Sequence, residues 1–178
     1  MDSQRITVSA KIGADVFRRF AIFDTLRLKK RWRSPLLFAL ILSACACVCF
    51  FMRARREGAL LLGFVLLGVG LGLPATYFLN FYLSLQAQCK KMRLDQPRLA
   101  YTLTFTPVGV HASTEREQAD YAWEQLYRAY RVEGCTYLYP IPARVFLLPE
   151  GQADAPDDAL WVMLQERLPA GCAVDCRK

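Results

Sequence analysis

Two long stretches of the chain carry no charged side chain, residues 34–52 and residues 58–89. A helix rises 1.5 Å per residue, so about 20 apolar residues cross a hydrocarbon core of roughly 30 Å. Both stretches reach that length. A chain of 178 residues has no soluble domain large enough to bury both. The pattern predicts a transmembrane helical hairpin over residues 34–89, with helices near 34–52 and 59–82. As one helix the second stretch would reach about 48 Å, so it is expected to leave the membrane near Tyr82. Tyr77, Phe78, Phe81 and Tyr82 then sit at headgroup level, and Trp32 does so for the first helix. Pro74 marks a candidate kink.

Outside these stretches the period changes. Arg5-Ile-Thr-Val-Ser-Ala10 alternates as a short strand. A helix is expected from near Asp15 to Trp32, with apolar Val16, Phe17, Phe20, Phe23 and Leu26 and basic Arg18, Arg19, Arg27, Lys29 and Lys30. That pattern suits a helix lying in a membrane interface, and equally one face packed on a folded domain. From Arg98 onward the period is two. Tyr101, Leu103 and Phe105 alternate with threonines, Pro107-Val-Gly109 reads as a turn, and Ala119, Tyr121 and Trp123 alternate again. Further strands are expected over 126–132, 135–139 and 144–148. Asp157-Asp158 then opens a helix with Leu160, Met163, Leu164 and Leu168 on one face. Consecutive short strands followed by a helix predict a small antiparallel β-barrel-like domain over 98–170, with the N-terminal strand available as its last rung. Residues 171–178 read as a frayed tail. The fold class is therefore membrane α+β: residues 1–33 supply a strand and a basic amphipathic helix, then come the hairpin and the β domain with its C-terminal helix.

Charge sharpens this picture. Residues 1–98 hold 16 Lys/Arg against five Asp/Glu, a net of +11, and residues 99–178 hold seven against eleven, a net of −4. The positive charge flanks the apolar stretches, as retention at an anionic membrane face requires. The acidic β domain would repel phosphate, which argues against nucleic acid. Ten basic residues flank the outer ends of the hairpin (Arg19, Arg27, Lys29, Lys30, Arg31, Arg33, Lys90, Lys91, Arg93 and Arg98), against Arg53, Arg55 and Arg56 in the connection. The excess places both termini in the cytoplasm of a multi-pass protein in the cell membrane.

Small residues suggest how the helices pack. Gly68 and Gly72 are four apart, as are Ala39, Ser43 and Cys47. Small faces allow close approach where lipid removes any hydrophobic drive between helices. An antiparallel pairing centred on the connection sets Ser43 opposite Gly68 and Ala39 opposite Gly72. The alternative use of this face is a homo-oligomer contact. Neither stretch holds an acidic or basic side chain, which argues against an ion path or proton relay.

The seven cysteines show no disulfide framework, and their odd, irregular spacing fits a reducing compartment. Leu42-Ser-Ala-Cys45 matches a bacterial lipoprotein signal, but the stretch before it is too long for a basic leader. An uncleaved helix is expected. Cys172 and Cys176 lack further ligands for a metal. The one histidine, His111, has no second histidine or cysteine cluster beside it and is expected to face solvent. Glu115, Glu117 and Asp120, like Asp154, Asp157 and Asp158, read as solvated turns or a helix cap. No phosphate-binding glycine loop is present. No catalytic residue, metal or cofactor is assigned, and the chain is expected not to be an enzyme. Tyr121, Trp123, Tyr127 and Tyr137 offer a candidate partner surface, since exposed Tyr and Trp are favoured at interfaces.

The order of elements resembles the bacterial YcxB-like membrane proteins. The phrases that carry the resemblance are Tyr101-Thr-Leu-Thr-Phe105, Val108-Gly-Val110, Trp123-Glu-Gln-Leu126, Tyr137-Leu-Tyr139 and Val145-Phe-Leu-Leu-Pro149. It covers nearly the whole chain through short motifs. It implies a pleckstrin-homology-like domain and no particular biochemical activity. The family commonly follows the last proline with a basic residue; this chain has Glu150, which removes any anion contact at that spot. The expected function is a non-enzymatic interaction module held at the inner leaflet and binding an unidentified protein or peptide. A reader of anionic lipid headgroups and an accessory subunit of a transporter or secretion complex are the alternatives.

Overall fold

The computed structural model of the chain describes residues 5–52, 58–94, 96–115 and 117–177. The connection at 53–57, which holds Arg53, Arg55 and Arg56, lies outside the described residues. The chain divides into two compact units, residues 21–92 and residues 1–20 together with 93–178.

The first of these units holds the apolar stretches. Helix α2 spans Arg33–Phe51 and helix α3 spans Ala59–Lys91. Gly58 enters α3 at φ +92°, a conformation that favours glycine. Both helices are long and apolar enough to cross a membrane, and only 6% and 17% of their most apolar windows are buried. Helix α3 runs unbroken past the expected end at Tyr82, through Pro74, to Lys91. The two pack antiparallel, on a face turned from the expected one. A Cβ on Gly70 would lie 3.1 Å from Leu42 Cβ and 3.5 Å from the Ala39 carbonyl; one on Gly63 would lie 3.0 Å from the Phe50 ring. Gly68 and Gly72 have nothing within 4 Å of such an atom. Ala39 and Ser43 do face the partner helix, but across from Gly70. Gly63 and Gly70 are seven apart, two helical turns, so they share a face; Gly68 and Gly72 lie on another.

The expected helix over 15–32 is also interrupted. Helix α1 spans Ala14–Ile22, and a π-helical segment, Phe23–Leu28, follows it. The segment ends in a turn where Lys30 takes φ +48°.

The other unit is built from strands β1 (Ile6–Ile12), β2 (Arg98–Phe105), β3 (Gly109–Ser113), β4 (Gln118–Ala122), β5 (Arg128–Val132), β6 (Cys135–Ile141), β7 (Arg144–Pro149) and β8 (Ala173–Asp175), with helix α4 at Asp157–Arg167. One sheet has the order β1-β2-β3-β4, the other β7-β6-β5-β8. The N-terminal strand pairs with the strand after the hairpin, Ile6 opposite Phe105 and Val8 opposite Leu103. These residues alternate apolar inward, and Leu103, Phe105, Val110, Leu138 and Leu148 meet Leu160 and Leu164 of α4 in one core. Tyr101 ties the sheets together: its hydroxyl donates to the Leu147 carbonyl at 3.0 Å and accepts from the Leu147 N–H. Burial pushes this hydroxyl well above its ordinary pKa, so it stays neutral.

No barrel closes. The sheets meet at one corner, where the Ser9 N–H donates to the Gln152 carbonyl at 3.2 Å and the Asp154 N–H donates to the Thr7 carbonyl at 3.0 Å. At the opposite ends β4 and β8 are outer strands. The edge of β5 that would close the barrel onto β4 pairs instead with β8, in parallel, Tyr130 opposite Val174. Part of the stretch expected as a frayed tail, Ala173–Asp175, is thus a strand.

Candidate partner-binding edge

The β3–β4 hairpin is shaped by its turns. Gly109 closes the turn before β3: its carbonyl accepts from the Thr106 N–H at 2.9 Å, and a side chain here would strike the Tyr121 carbonyl. Thr114 and Glu117 close the turn before β4, with the Thr114 N–H donating to the Glu117 carbonyl at 2.8 Å and the Thr114 hydroxyl accepting the Glu117 N–H at 2.9 Å.

That closing bond sets the phase of the ladder. Bonded and non-bonded pairs alternate along an antiparallel ladder. Thr114 with Glu117 is bonded, so Ala112 with Ala119 and Val110 with Tyr121 are bonded as well. Residues 118, 120 and 122 then turn their N–H and C=O groups away from β3. The Ala122 N–H is taken by the Gln125 side chain at 3.2 Å. Gln118 and Asp120 present theirs along the outer side of the sheet, where no strand follows β4.

The side chains alternate accordingly. Gln118, Asp120 and Ala122 are exposed, while Ala119 and Tyr121 are half-buried. His111 and Asp120 are a non-bonded pair, the arrangement that brings side chains closest, and His111 Nδ1 contacts Asp120 Oδ1. Beside them lies a groove of about 480 Å³ lined by Val108, Gly109, His111, Asp120, Tyr121 and Gln125. Acidic side chains gather around this edge: Glu115, Glu117, Asp120 and Glu124 are all exposed. Glu117 pairs with Arg144 at 3.6 Å.

Of the four aromatics expected on a partner surface, two are interior. Trp123 is 7% exposed and donates its indole N–H to the Thr106 carbonyl at 3.0 Å. Tyr137 is 1% exposed and meets the Phe20 ring edge-on at 5.3 Å. Strand β6 lies between β5 and β7 and is covered on both faces, which period-two alternation cannot report. Tyr121 packs against Phe146 and accepts from Arg144 at 3.3 Å. Tyr127 alone is exposed, with the Arg128 guanidinium over its ring at 5.3 Å.

The acids expected in solvated turns or as a helix cap hold structure, and Asp157 and Asp158 open α4 as expected. Asp154 accepts the Thr7 N–H at 2.7 Å, Asp157 accepts the Gly151 N–H at 2.9 Å, and Asp158 pairs at 2.5 Å with Arg131, which is buried beneath the Trp161 ring. Asp120, also expected in a loop, stands in β4. The alternation Gln118-Ala-Asp-Tyr-Ala122 was the signal for it. Burial pushes the Cys135 thiol up to about 12, too high for a nucleophile. Among the described residues no group of three or more His, Cys, Asp or Glu is placed to hold a metal ion.

No protein-family model, curated protein or solved structure matches this chain.

Proposed function

We propose that the chain is a membrane-anchored, non-enzymatic interaction module whose β4 edge accepts an extended peptide from a partner protein. The α2–α3 hairpin is the anchor in this reading. It holds a pleckstrin-homology-like domain, the fold the YcxB-like resemblance implies, at the inner leaflet of the cell membrane with both termini cytoplasmic. The observation that carries the reading is the outward-facing pair of residues in β4, Gln118 and Asp120, on an outer strand with a groove beside it. Such an edge adds a strand through main-chain bonds, and neighbouring pockets select side chains. The surrounding acids favour a partner segment with Lys or Arg beside the pairing residues.

Affinity capture of the full-length protein in mild detergent tests it. Asp120→Pro and Gln118→Pro each remove an outward N–H while leaving the β3 ladder bonds in place. Loss of a stoichiometric partner from both variants, with the thermal transition retained, is the expected result. Undiminished capture by either folded variant would refute edge pairing.

A further inference from the structure

A second site lies wholly within the 21–92 unit. A cleft of about 810 Å³ opens between the first turn of α2 and the middle of α3. Its walls are apolar, from Pro35, Phe38, Leu73 and Tyr77, and its rim carries Lys30 and Arg31. The turn that bears these cations is tied down. The Arg31 N–H donates to the Thr25 carbonyl at 3.1 Å, and the Arg33 N–H donates to the Lys30 carbonyl at 3.1 Å. Asp24, the acid nearest in sequence, binds Lys29 at 2.6 Å. Among the described residues neither Lys30 nor Arg31 has a carboxylate partner, and both are exposed. The Thr76 hydroxyl is used within the helix, on the Gly72 carbonyl at 2.7 Å.

Two unmatched cations above an apolar cleft complement a ligand with an anionic head and a hydrocarbon body. Depth agrees with this. The 19 residues of α2 rise about 28 Å, close to the roughly 30 Å of a hydrocarbon core. Its first turn therefore falls at headgroup level and Phe38 one turn below. Leu37, Leu40 and Leu71 of the same two helices are exposed as well and would face acyl chains. Basic pockets between membrane helices on the cytoplasmic side are a known means of holding anionic headgroups.

We propose that this cleft binds one anionic phospholipid of the cytoplasmic leaflet, its phosphate at Lys30 and Arg31 and an acyl chain along Phe38 and Leu73. The proposal rests on the membrane-hairpin part of the proposed function and is independent of the β4 edge.

Native mass spectrometry of the full-length protein, released from mild detergent with added phosphatidylglycerol or phosphatidylcholine of the same chains, tests it. One phosphatidylglycerol should be retained in preference to phosphatidylcholine. The double variant Lys30→Ala with Arg31→Ala should weaken that retention roughly 25-fold, at about a factor of five for each basic residue near the headgroups. Leu73→Trp should weaken it by filling the cleft at unchanged charge. Lys90→Ala with Lys91→Ala removes the same charge elsewhere in the unit and should change nothing. Equal loss in both double variants would mean diffuse attraction and overturn the site, as would displacement of the lipid by glycerol phosphate. Equal retention of both lipids by a protein that resists alkaline extraction would overturn the cleft alone. A protein released by that extraction would overturn the membrane reading beneath it.

Discussion

Replacing Gly70 by Leu should loosen the α2–α3 pair, and replacing Gly68 or Gly72 should not. A first side-chain carbon on Gly70 lies 3.1 Å from Leu42 Cβ and 3.5 Å from the Ala39 carbonyl. The tighter neighbour, Leu42 Cβ, is fixed to its backbone and cannot swing aside, so the further atoms of a leucine must push the helices apart. Overpacking of this kind costs about 1–3 kcal/mol, or roughly a factor of 5 to 150 in the packing equilibrium at about 1.4 kcal/mol per tenfold. Gly63→Leu should cost less, since the atoms it meets are the end of the Phe50 ring. A first side-chain carbon on Gly68 or Gly72 meets nothing within 4 Å, so Gly68→Leu and Gly72→Leu should stay within about 0.5 kcal/mol, apart from a gain in helix propensity. That gain is common to all four variants and cancels in the comparison. Titration of the purified protein from mild detergent into sodium dodecyl sulfate, followed by far-ultraviolet circular dichroism and tryptophan fluorescence, gives the midpoints. The order of loss should be Gly70, then Gly63, then Gly68 and Gly72 together. A Gly68 or Gly72 variant as damaged as the Gly70 variant would refute the packing face. If that damage depended on protein concentration, the exposed glycines would be an oligomer contact.

Two further outcomes follow from the side-chain chemistry. Asp158 is held below its ordinary 3.8 by the hydrogen bond from Arg131, and Asp175 is lowered to about 2 by the hydrogen bond from Arg177. Each folded value lies below the unfolded one, so the stability they contribute is complete above pH 3.8 and is lost as pH falls through the folded values; in acid titration, Asp158→Asn should show a shallower loss than the parent, and an identical profile would refute the linkage. In sealed vesicles a charged maleimide should label half-buried Cys172 and Cys176 from the cytoplasmic side, spare buried Cys135, and spare Cys45 and Cys47, which are exposed on α2 and shielded only by lipid; rapid labelling of Cys45 and Cys47 would show that α2 faces water.

The two long helices were legible because the absence of charge over 34–52 and again over 58–89 is a one-dimensional signal. Their contact face was not. Four-residue spacing finds residues that share a face, but α3 has several glycines, and which of them faces α2 depends on helix rotation. The seven-residue interval from Gly63 to Gly70 was an equally valid pattern. Strands β1 to β4 were legible by alternation, although the whole hairpin lies between Ile12 and Arg98, whereas β5, β6 and β7 are buried without it. Strand β8 was not, since so short a segment pairing in parallel with β5 carries no local period. Trp123 and Tyr137 misled because aromatic residues suit an interface and an interior alike. The edge at Gln118 and Asp120 was partly legible: the alternation was there, but only sheet order shows that β4 is outermost. The π-helical segment Phe23–Leu28 left no mark in the sequence.

The central claim is an anchor that crosses the membrane twice and returns the chain to the cytoplasm. The most direct measurement uses paired topology reporters, one fused after Lys178 and one inserted in the connection at 53–57. The account predicts cytoplasmic activity from the first and activity only outside the cytoplasmic membrane from the second. Cytoplasmic activity from both, or external activity from the fusion after Lys178, would contradict it.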